Sequence, residues 1–209
     1  MGFVSILSQK SDKIVIFPRN KPFGTLFVID KSEYNYLKER RITMNFNNFT
    51  IKAQEAVQEA VNLTQAHNGQ VIEPIHLLQA VMKVGENVTK FIFQKLGVNG
   101  QQIANVVARQ IESLPKVSGG NPYLSRESND VLQKAVQYSK EMGDEFVSIE
   151  PIILALLVVK STASSILKDA GVSEKELREA INELRKGERV TSQSSEDTYQ
   201  SLSKYAINL

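Results

Sequence analysis

Three carboxylates stand close together in the stretch GDEFVSIE: Asp144, Glu145 and Glu150. Grouped carboxylates can perform general acid–base catalysis or contribute to a metal site. Two interpretations of them are open. They are solvated loop and helix-start residues, with Glu150 complementing the helix dipole, or they belong to a functional site. His67 and His76 lie in no carboxylate cluster at ligand spacing, so both histidines are interpreted as structural.

Other signals of enzyme chemistry are missing from the sequence. It contains no G-x-x-x-x-G-K-[ST], no G-x-G-x-x-G and no G-x-S-x-G, so neither a phosphate-binding loop nor an acyl-transfer serine can be argued. The chain has no cysteine, which excludes disulfides and thiolate metal sites and fits a reducing cytosol. We therefore expect a chain without catalytic residues, cofactor or metal.

Composition and charge argue against two classes of partner, membranes and nucleic acids. The chain has 209 residues, of which 42% are hydrophobic and 23% charged, as in an ordinary globular protein. No run approaches the roughly 18 apolar residues of a membrane span, so no membrane partner is expected. Residues 1–43 hold eight Lys and Arg against four Asp and Glu, and the remaining 166 residues hold 17 against 19. The main part of the chain thus lacks the basic stripe that nucleic-acid binding requires.

The first 43 residues differ from the rest and do not recur. The runs IVIFP (14–18) and TLFVID (25–30) predict two short strands around a turn. Two interpretations are open: Met44 is the biological start and the leader is upstream or non-native sequence, or the leader is a genuine β-hairpin appendage. Truncation to Met44 separates them, because a large loss of thermal stability would exclude a passive leader.

From Thr50 onwards, apolar residues recur with the helical period. Thr50 is predicted to cap the first helix, Pro74 to open the second, and Asn99 to cap the fourth. Ser173 and Glu176 have the spacing of a capping box. The eight predicted helices begin at or near residues 50, 74, 87, 99, 125, 149, 163 and 173.

The string I-E-P-I occurs twice, which raises the question of an internal duplication. A shift of 75 residues aligns Phe49 with Leu124 and Thr50 with Ser125, and a one-residue deletion later aligns the Leu-Gly-Val at 96–98 with Ala-Gly-Val at 170–172. The two Glu-Pro pairs need a shift of 77, so their identity is interpreted as coincidence. We predict an all-α fold: eight helices in two pseudo-twofold four-helix repeats, about 47–114 and 122–186, forming one globule.

Four apolar or aromatic residues of the second repeat have two readings: Tyr123, Leu132, Tyr138 and Phe146. They form part of the core, or they line a crevice where the two halves meet. A crevice with an apolar floor and an acidic rim would suit an exposed, extended, hydrophobic peptide. After Gly187 the sequence becomes polar and Ser-rich, which is typical of a flexible linker.

Several motifs are recognisable together. AHNGQVIEPIHLLQA (66–80), the Gly-Val breaks and the terminal GERV, ED and LSKYAINL resemble the Clp N-terminal domain, the double-repeat module that fronts the ClpA, ClpB and ClpC unfoldase chaperones. The terminal motifs resemble ClpB-type AAA+ disaggregases in particular. The resemblance covers residues 44–209. It places the family domain at 44–186 and, at 187–209, a linker towards an AAA+ module that would carry ATP and magnesium.

The resemblance also implies a function and a site. It implies a substrate-binding domain that captures apolar segments of unfolded or aggregated polypeptides in the cytoplasm, within a parent homohexamer. Residues implicated in the family match at Thr50, Asp144 and Glu150, and we add Leu132, Tyr138 and Phe146 as candidate substrate-binding residues. The second repeat departs from the family pattern at Ile149–Ile153, where Ser148 is expected to cap one residue earlier.

Two other functions stay open. An adaptor-docking module, as in ClpA and ClpC, would bind one folded partner saturably and ignore unfolded chains. An enzyme would need a nucleophile–base pair, of which the sequence shows no sign, and measurable nucleotide hydrolysis would revive that reading.

Overall fold

The computed structural model of the chain describes residues 13–16, 27–30, 46–117 and 122–195. The chain divides into two compact units, Met1–Asn45 and Phe46–Leu209. In the first unit, β1 (Lys13–Ile16) pairs antiparallel with β2 (Phe27–Asp30), with Lys13 opposite Asp30. The two strands predicted for the leader are therefore present.

The second unit is helical, as predicted. It opens with a 3-10 turn, Phe46–Asn48, and contains two strands of two residues each, β3 (Val71–Ile72) and β4 (Tyr123–Leu124). The described part of this unit contains eight α-helices: α1 (Ile51–Ala66), α2 (Pro74–Val84), α3 (Glu86–Lys95), α4 (Gly100–Glu112), α5 (Arg126–Glu141), α6 (Ile149–Val158), α7 (Thr162–Asp169) and α8 (Glu174–Arg185).

The helix boundaries follow the predicted repeat register. Helices α1 and α5 each have 16 residues and begin 75 residues apart, as do the starts of α2 and α6. After the single deletion, α4 and α8 begin 74 residues apart. Pro74 is the first residue of α2, whereas Pro151 is the third residue of α6, so the two Glu-Pro pairs occupy different helical positions. The duplication is confirmed, and the repeated string is a coincidence.

The two repeats are joined by hydrogen bonds between short segments that precede their helices, which we call entry segments. β3 of the first repeat pairs in parallel with β4 of the second, and Phe49 of the first repeat forms a parallel bridge with Val147 of the second. The backbone N–H of Thr50 donates to Val147 O at 2.9 Å, and the equivalent N–H of Ser125 donates to Ile72 O at 3.0 Å. Each half thus completes the other, which is the predicted pseudo-twofold arrangement.

The second helix of each repeat forms the centre of the core. Nine consecutive residues of α6, from Ile149 to Leu157, are buried, and seven residues of α2 are buried as well. A helix that is apolar on every side must be surrounded by protein, because each fully buried aliphatic side chain contributes about 1.5–3 kcal/mol relative to exposure. The remaining helices each present one apolar face to this pair.

Four of the helix starts follow local side-chain chemistry. The side chains of Thr50, Asn99, Ser125 and Ser173 all accept a hydrogen bond from a first-turn N–H, as N-caps do. The predicted capping box at Ser173 is incomplete, since the Glu176 carboxylate accepts from the Ser173 hydroxyl at 2.5 Å. A capping box occurs instead between Ser161 and Ser164.

Within the described residues, no single helix is long and apolar enough to cross a membrane. Only α6 and α7 taken together reach the length and hydropathy of a span, and they are bent by 92° at their junction.

Candidate functional site

The six predicted site residues fall into two groups. Asp144, Phe146 and Glu150 lie in and after the connection between α5 and α6, and Thr50 joins them through its backbone hydrogen bond to Val147. Leu132 and Tyr138 lie on α5. The side chains of Asp144 and Glu150 are 0% exposed, and Thr50 and Leu132 are also 0% exposed. Tyr138 is buried and Phe146 is partly exposed. Contact of these residues with a substrate stays a prediction.

Asp144 and Glu150 are held together by Arg185, in the last turn of α8. The guanidinium donates from Nη1 to Asp144 Oδ2 at 2.8 Å and from Nε to Glu150 Oε1 at 3.0 Å. It also donates from Nη2 to Ser148 Oγ at 2.9 Å. We call these four residues the Arg185 network. The three acceptors lie 35 to 41 residues before Arg185 in the sequence, so the fold alone assembles them.

The carboxylates of the Arg185 network stabilise the charged form of its guanidinium. Burial by itself would lower the pKa of Arg185, but the nearby Glu150 and Asp144 carboxylates outweigh it and raise the pKa above its ordinary value. Arg185 therefore stays charged throughout the physiological range. Glu150 Oε2 is buried without a hydrogen-bond partner among the described residues.

Ser148 shows why the start of α6 departs from the family pattern. It occupies the N-cap position, as predicted, but makes no side-chain cap hydrogen bond. Its hydroxyl accepts from Arg185 Nη2 instead. The second repeat has therefore replaced a local cap with a long-range contact to α8.

A segment after α8 covers one side of the Arg185 network. We call residues 188–195 the strap. The backbone N–H of Val190 donates to Asp144 Oδ1 at 3.0 Å, and Val190 O accepts from Glu145 N–H at 2.9 Å. Further along the strap, Gln193 O accepts from Ile51 N–H at 2.9 Å. Residues 187–209 were assigned to a linker from composition, and this boundary stays a prediction, but the first part of that segment lies against the body.

The histidines are placed as structural residues. His76 Nδ1 accepts from the backbone N–H of Glu73 at 3.0 Å, and burial lowers the His76 pKa to about 4, so the ring is neutral. His67 Nδ1 lies 2.9 Å from Leu63 O at the end of α1. Among the residues that the structure describes, no three His, Asp or Glu side chains are grouped so that they could hold a metal ion.

An open crevice of about 430 Å³ separates α4 of the first repeat from α7 of the second. Five of its eight lining residues are apolar and one, Asp169, is acidic: Val98, Asn99, Gln102, Ile103, Val106, Ile166, Asp169 and Ala170. Val106 is 39% exposed. We call it the seam crevice. It lies where the halves meet and combines apolar side chains with one carboxylate, but none of the six predicted site residues lines it.

Sequence reasoning missed Arg185 as a member of the site. A cation in the last turn of a helix is already explained by the helix dipole, so its pattern carries no further signal. Val190 gave a better signal, because it is the only aliphatic residue in the polar stretch from 185 to 201. An isolated branched side chain in a linker can indicate a docked segment.

Comparisons with known proteins agree with this architecture. The sequence matches the family described as "Clp repeat (R) N-terminal domain" over residues 48–170. It is 81% identical over 166 residues to the chaperone protein ClpB of Bacteroides thetaiotaomicron and 56% identical to that of Porphyromonas gingivalis. These matches cover 79% of this chain and 19% of each relative, so the chain spans about a fifth of their length.

Solved structures show the same fold. The Hsp104 N-terminal domain from Candida albicans matches with a TM-score of 0.65 and 22% identity, covering 72% of this chain and 99% of that one. A complex of the ClpV N-domain with a VipB peptide matches with a TM-score of 0.55 and 16% identity, covering 66% and 86%. The family match over residues 48–170 and the relative at 81% identity, together with two helical repeats in the register predicted from sequence, show that the chain belongs to the Clp N-terminal domain family.

Proposed function

We propose that this chain is a substrate-receptor domain of a ClpB-type disaggregase, which captures exposed apolar segments of unfolded or aggregated polypeptides. The observation that carries the proposal is the seam crevice, an open concavity formed by both repeats, in which five of the eight lining residues are apolar. Its location agrees with the expectation that the meeting of the halves would hold an extended hydrophobic peptide. The ClpV N-domain that was solved with a VipB peptide supports a peptide partner for this fold.

The seam crevice suits weak and degenerate binding. Its floor is aliphatic, with Ile103 buried and Val98 and Ile166 partly exposed. Covering a few hundred Å² of apolar surface at roughly 25 cal/mol/Å² contributes several kcal/mol, and much of this is offset by ordering the peptide. An affinity in the high-micromolar range follows. Such a site selects for apolar character and tolerates many sequences.

Several weak binding sites held in one assembly bind a common ligand more tightly than a single site does. In the parent protein we propose a homohexamer in the cytoplasm, in which six receptor domains bind one aggregate by avidity. ATP and magnesium belong to AAA+ modules outside this chain, so the domain itself performs capture and not hydrolysis. The linker after the strap would let each domain search for clients.

The proposal is tested by titrating the full chain with a permanently unfolded, carboxymethylated protein while recording backbone amide shifts. We expect shifts at Val98, Ile103 and Ile166, because these residues line the seam crevice. Val106→Asp places a charge on the exposed rim and should weaken binding about tenfold, the effect of losing one aliphatic contact and desolvating a carboxylate.

A matched control is Val117→Asp. Val117 is 49% exposed and does not line the seam crevice, so this variant should bind like the wild type. No perturbation of the crevice residues by the unfolded protein would contradict the proposal, as would equal loss of binding in both variants.

A further inference from the structure

The strap occupies a site that is built from three separate parts of the body. Asp144 Oδ1 accepts from Val190 N–H, and the N–H groups of Glu145 and Phe146 donate to Val190 O at 2.9 and 3.4 Å. Ile51 N–H donates to Gln193 O at 2.9 Å. The side-chain amide of Gln193 donates to Asn47 O at 2.9 Å. The body therefore presents donors and acceptors that an extended backbone satisfies.

These body groups need a partner whether or not the strap is present. Ile51 is the first residue of α1, and an N–H in the first helical turn has no acceptor within its helix. The segment at 144–146 connects two helices. The Asp144 N–H donates to Ser139 O within the body, whereas the N–H groups of Glu145 and Phe146 donate to the strap. Without the strap these donors would turn to water, and a different extended segment offers them the same backbone acceptors as the strap does.

One side chain anchors the strap. Val190 is 0% exposed, while Arg189 before it and Thr191 after it are exposed. Asp144 is fixed for its role by its second oxygen, which accepts from Arg185. The site thus contacts a peptide backbone, one buried branched aliphatic side chain and one exposed side-chain amide, that of Gln193.

We propose that this is a binding site for an extended polypeptide segment with a branched aliphatic residue, that the strap occupies it in cis, and that client segments displace the strap. The client part rests on the proposed function, to which it adds a second capture site regulated by the chain itself. Asp144 then touches the bound backbone directly, while Glu150 acts as a positioning residue through Arg185.

The covalent attachment of the strap determines how strongly it competes with other ligands for the site. A segment joined by a short connection has an effective concentration in the millimolar range. If the free segment binds with a dissociation constant about tenfold lower than that concentration, the strap weakens any competing ligand about tenfold. Removal of the anchor from the strap should therefore open the site.

The experiment compares the wild-type full chain with Val190→Asp, which changes only the strap. The probe is a fluorescent peptide of residues 187–194, GERVTSQS. We expect the variant to bind it about tenfold more tightly than the wild type, with amide shifts at Ile51 and Glu145. Val190→Ser provides a second release variant in case the new carboxylate disturbs the fold. Val117→Asp, which carries the same change at an exposed position outside the strap, should match the wild type, and a peptide with aspartate in place of valine should not bind.

The client part is tested by adding the carboxymethylated unfolded protein to the peptide complex of the Val190→Asp chain. Displacement of the peptide, with tighter client binding than in the wild type, is the expected result. Equal peptide binding by wild type and both release variants, without shifts at Ile51 and Glu145, overturns the site. Client binding that is equal in all chains and leaves the peptide in place overturns its use by clients, while the proposed function stands. Absence of client binding in every chain overturns the proposed function and the client part together.

Discussion

Asp144 and Val190 are joined across 46 residues of sequence by a hydrogen bond of 3.0 Å from the Val190 backbone N–H to Asp144 Oδ1. The other oxygen of the same carboxylate accepts from Arg185. One side chain therefore links a buried ion network to the segment that leaves the domain. A change in the Arg185 network should alter the binding of the strap to the body, and the stability of the domain should depend strongly on Arg185.

Replacement of Arg185 by methionine should destabilise the domain by about 3–5 kcal/mol, because two buried carboxylates lose the guanidinium that pairs with both of them. The measurement is urea unfolding followed by circular dichroism. Lys95→Met is the matched control: Lys95 pairs with Glu183 at 2.7 Å, but both side chains are about half exposed. An exposed pair contributes about 0–1 kcal/mol. Similar losses in the two variants would contradict the buried network.

The neutral, buried His76 should make stability depend on pH. Its pKa is about 4 in the folded state and 6.5 in the unfolded chain, so the unfolded state binds more protons between these values. Stability from this group is complete above pH 6.5 and falls as the pH is lowered towards 4, by about 2–3 kcal/mol in total.

His76→Gln is the variant that isolates this effect. Glutamine at this position can still accept from the Glu73 N–H, as in a capping box, but it does not titrate. The free energy of unfolding of the variant, measured from pH 7 to pH 4, should lose less than that of the wild type. Parallel pH profiles would show that other groups govern acid unfolding.

Thr50 and Ser125 are equivalent N-caps in the two repeats, and their alanine variants should have similar costs. Each loses a hydrogen bond to a first-turn N–H, which is worth about 0.5–2 kcal/mol. Thr50→Ser keeps the hydroxyl and should restore most of the stability. The midpoints of thermal and urea unfolding check this. If Thr50→Ala also weakens binding of unfolded protein while Ser125→Ala does not, Thr50 has a binding role beyond its cap.

Gly85 lies at the junction of α2 and α3, against the start of α6. A Cβ atom at this position would come within 2.8 Å of Ile149 Cγ2 and 2.9 Å of Val81 O. We expect Gly85→Ala to cost about 1–3 kcal/mol through overpacking and to displace Ile149, which precedes Glu150. Amide shifts at residues 148–150 and the urea midpoint provide the measurement. An unchanged midpoint would mean that the junction accommodates a methyl group.

The predicted helices and caps agree with the structure because they depend on neighbours a few residues apart. Asn99 and Ser125 cap the helices that they precede, and Gly97 and Gly171 both adopt the left-handed conformation after equivalent helices. The capping box predicted at Ser173 is wrong in one hydrogen bond. The Glu176 carboxylate accepts from the Ser173 hydroxyl and not from the Ser173 backbone N–H. That choice depends on side-chain rotamers, which a four-residue motif does not determine.

The candidate site was less predictable. Resemblance identified Asp144 and Glu150 but not Arg185, and their burial was not expected. The strap was read as a tether because one valine among polar residues cannot bury enough surface to show as periodicity. The seam crevice was expected between the halves, but its lining comes from α4 and α7 and not from the predicted residues of α5.

The amino-acid sequence by itself determined the eight helices, their caps and the 75-residue duplication, because helical period and first-turn hydrogen bonds act over short distances. Only the tertiary structure decided that the entry segments of the two repeats pair with each other, that Arg185 joins Asp144 to Glu150, and that Val190 is buried against the body. Each of these contacts joins residues at least 35 positions apart. Such pairs leave no periodic trace in the chain, since the packing of complete helices brings them together.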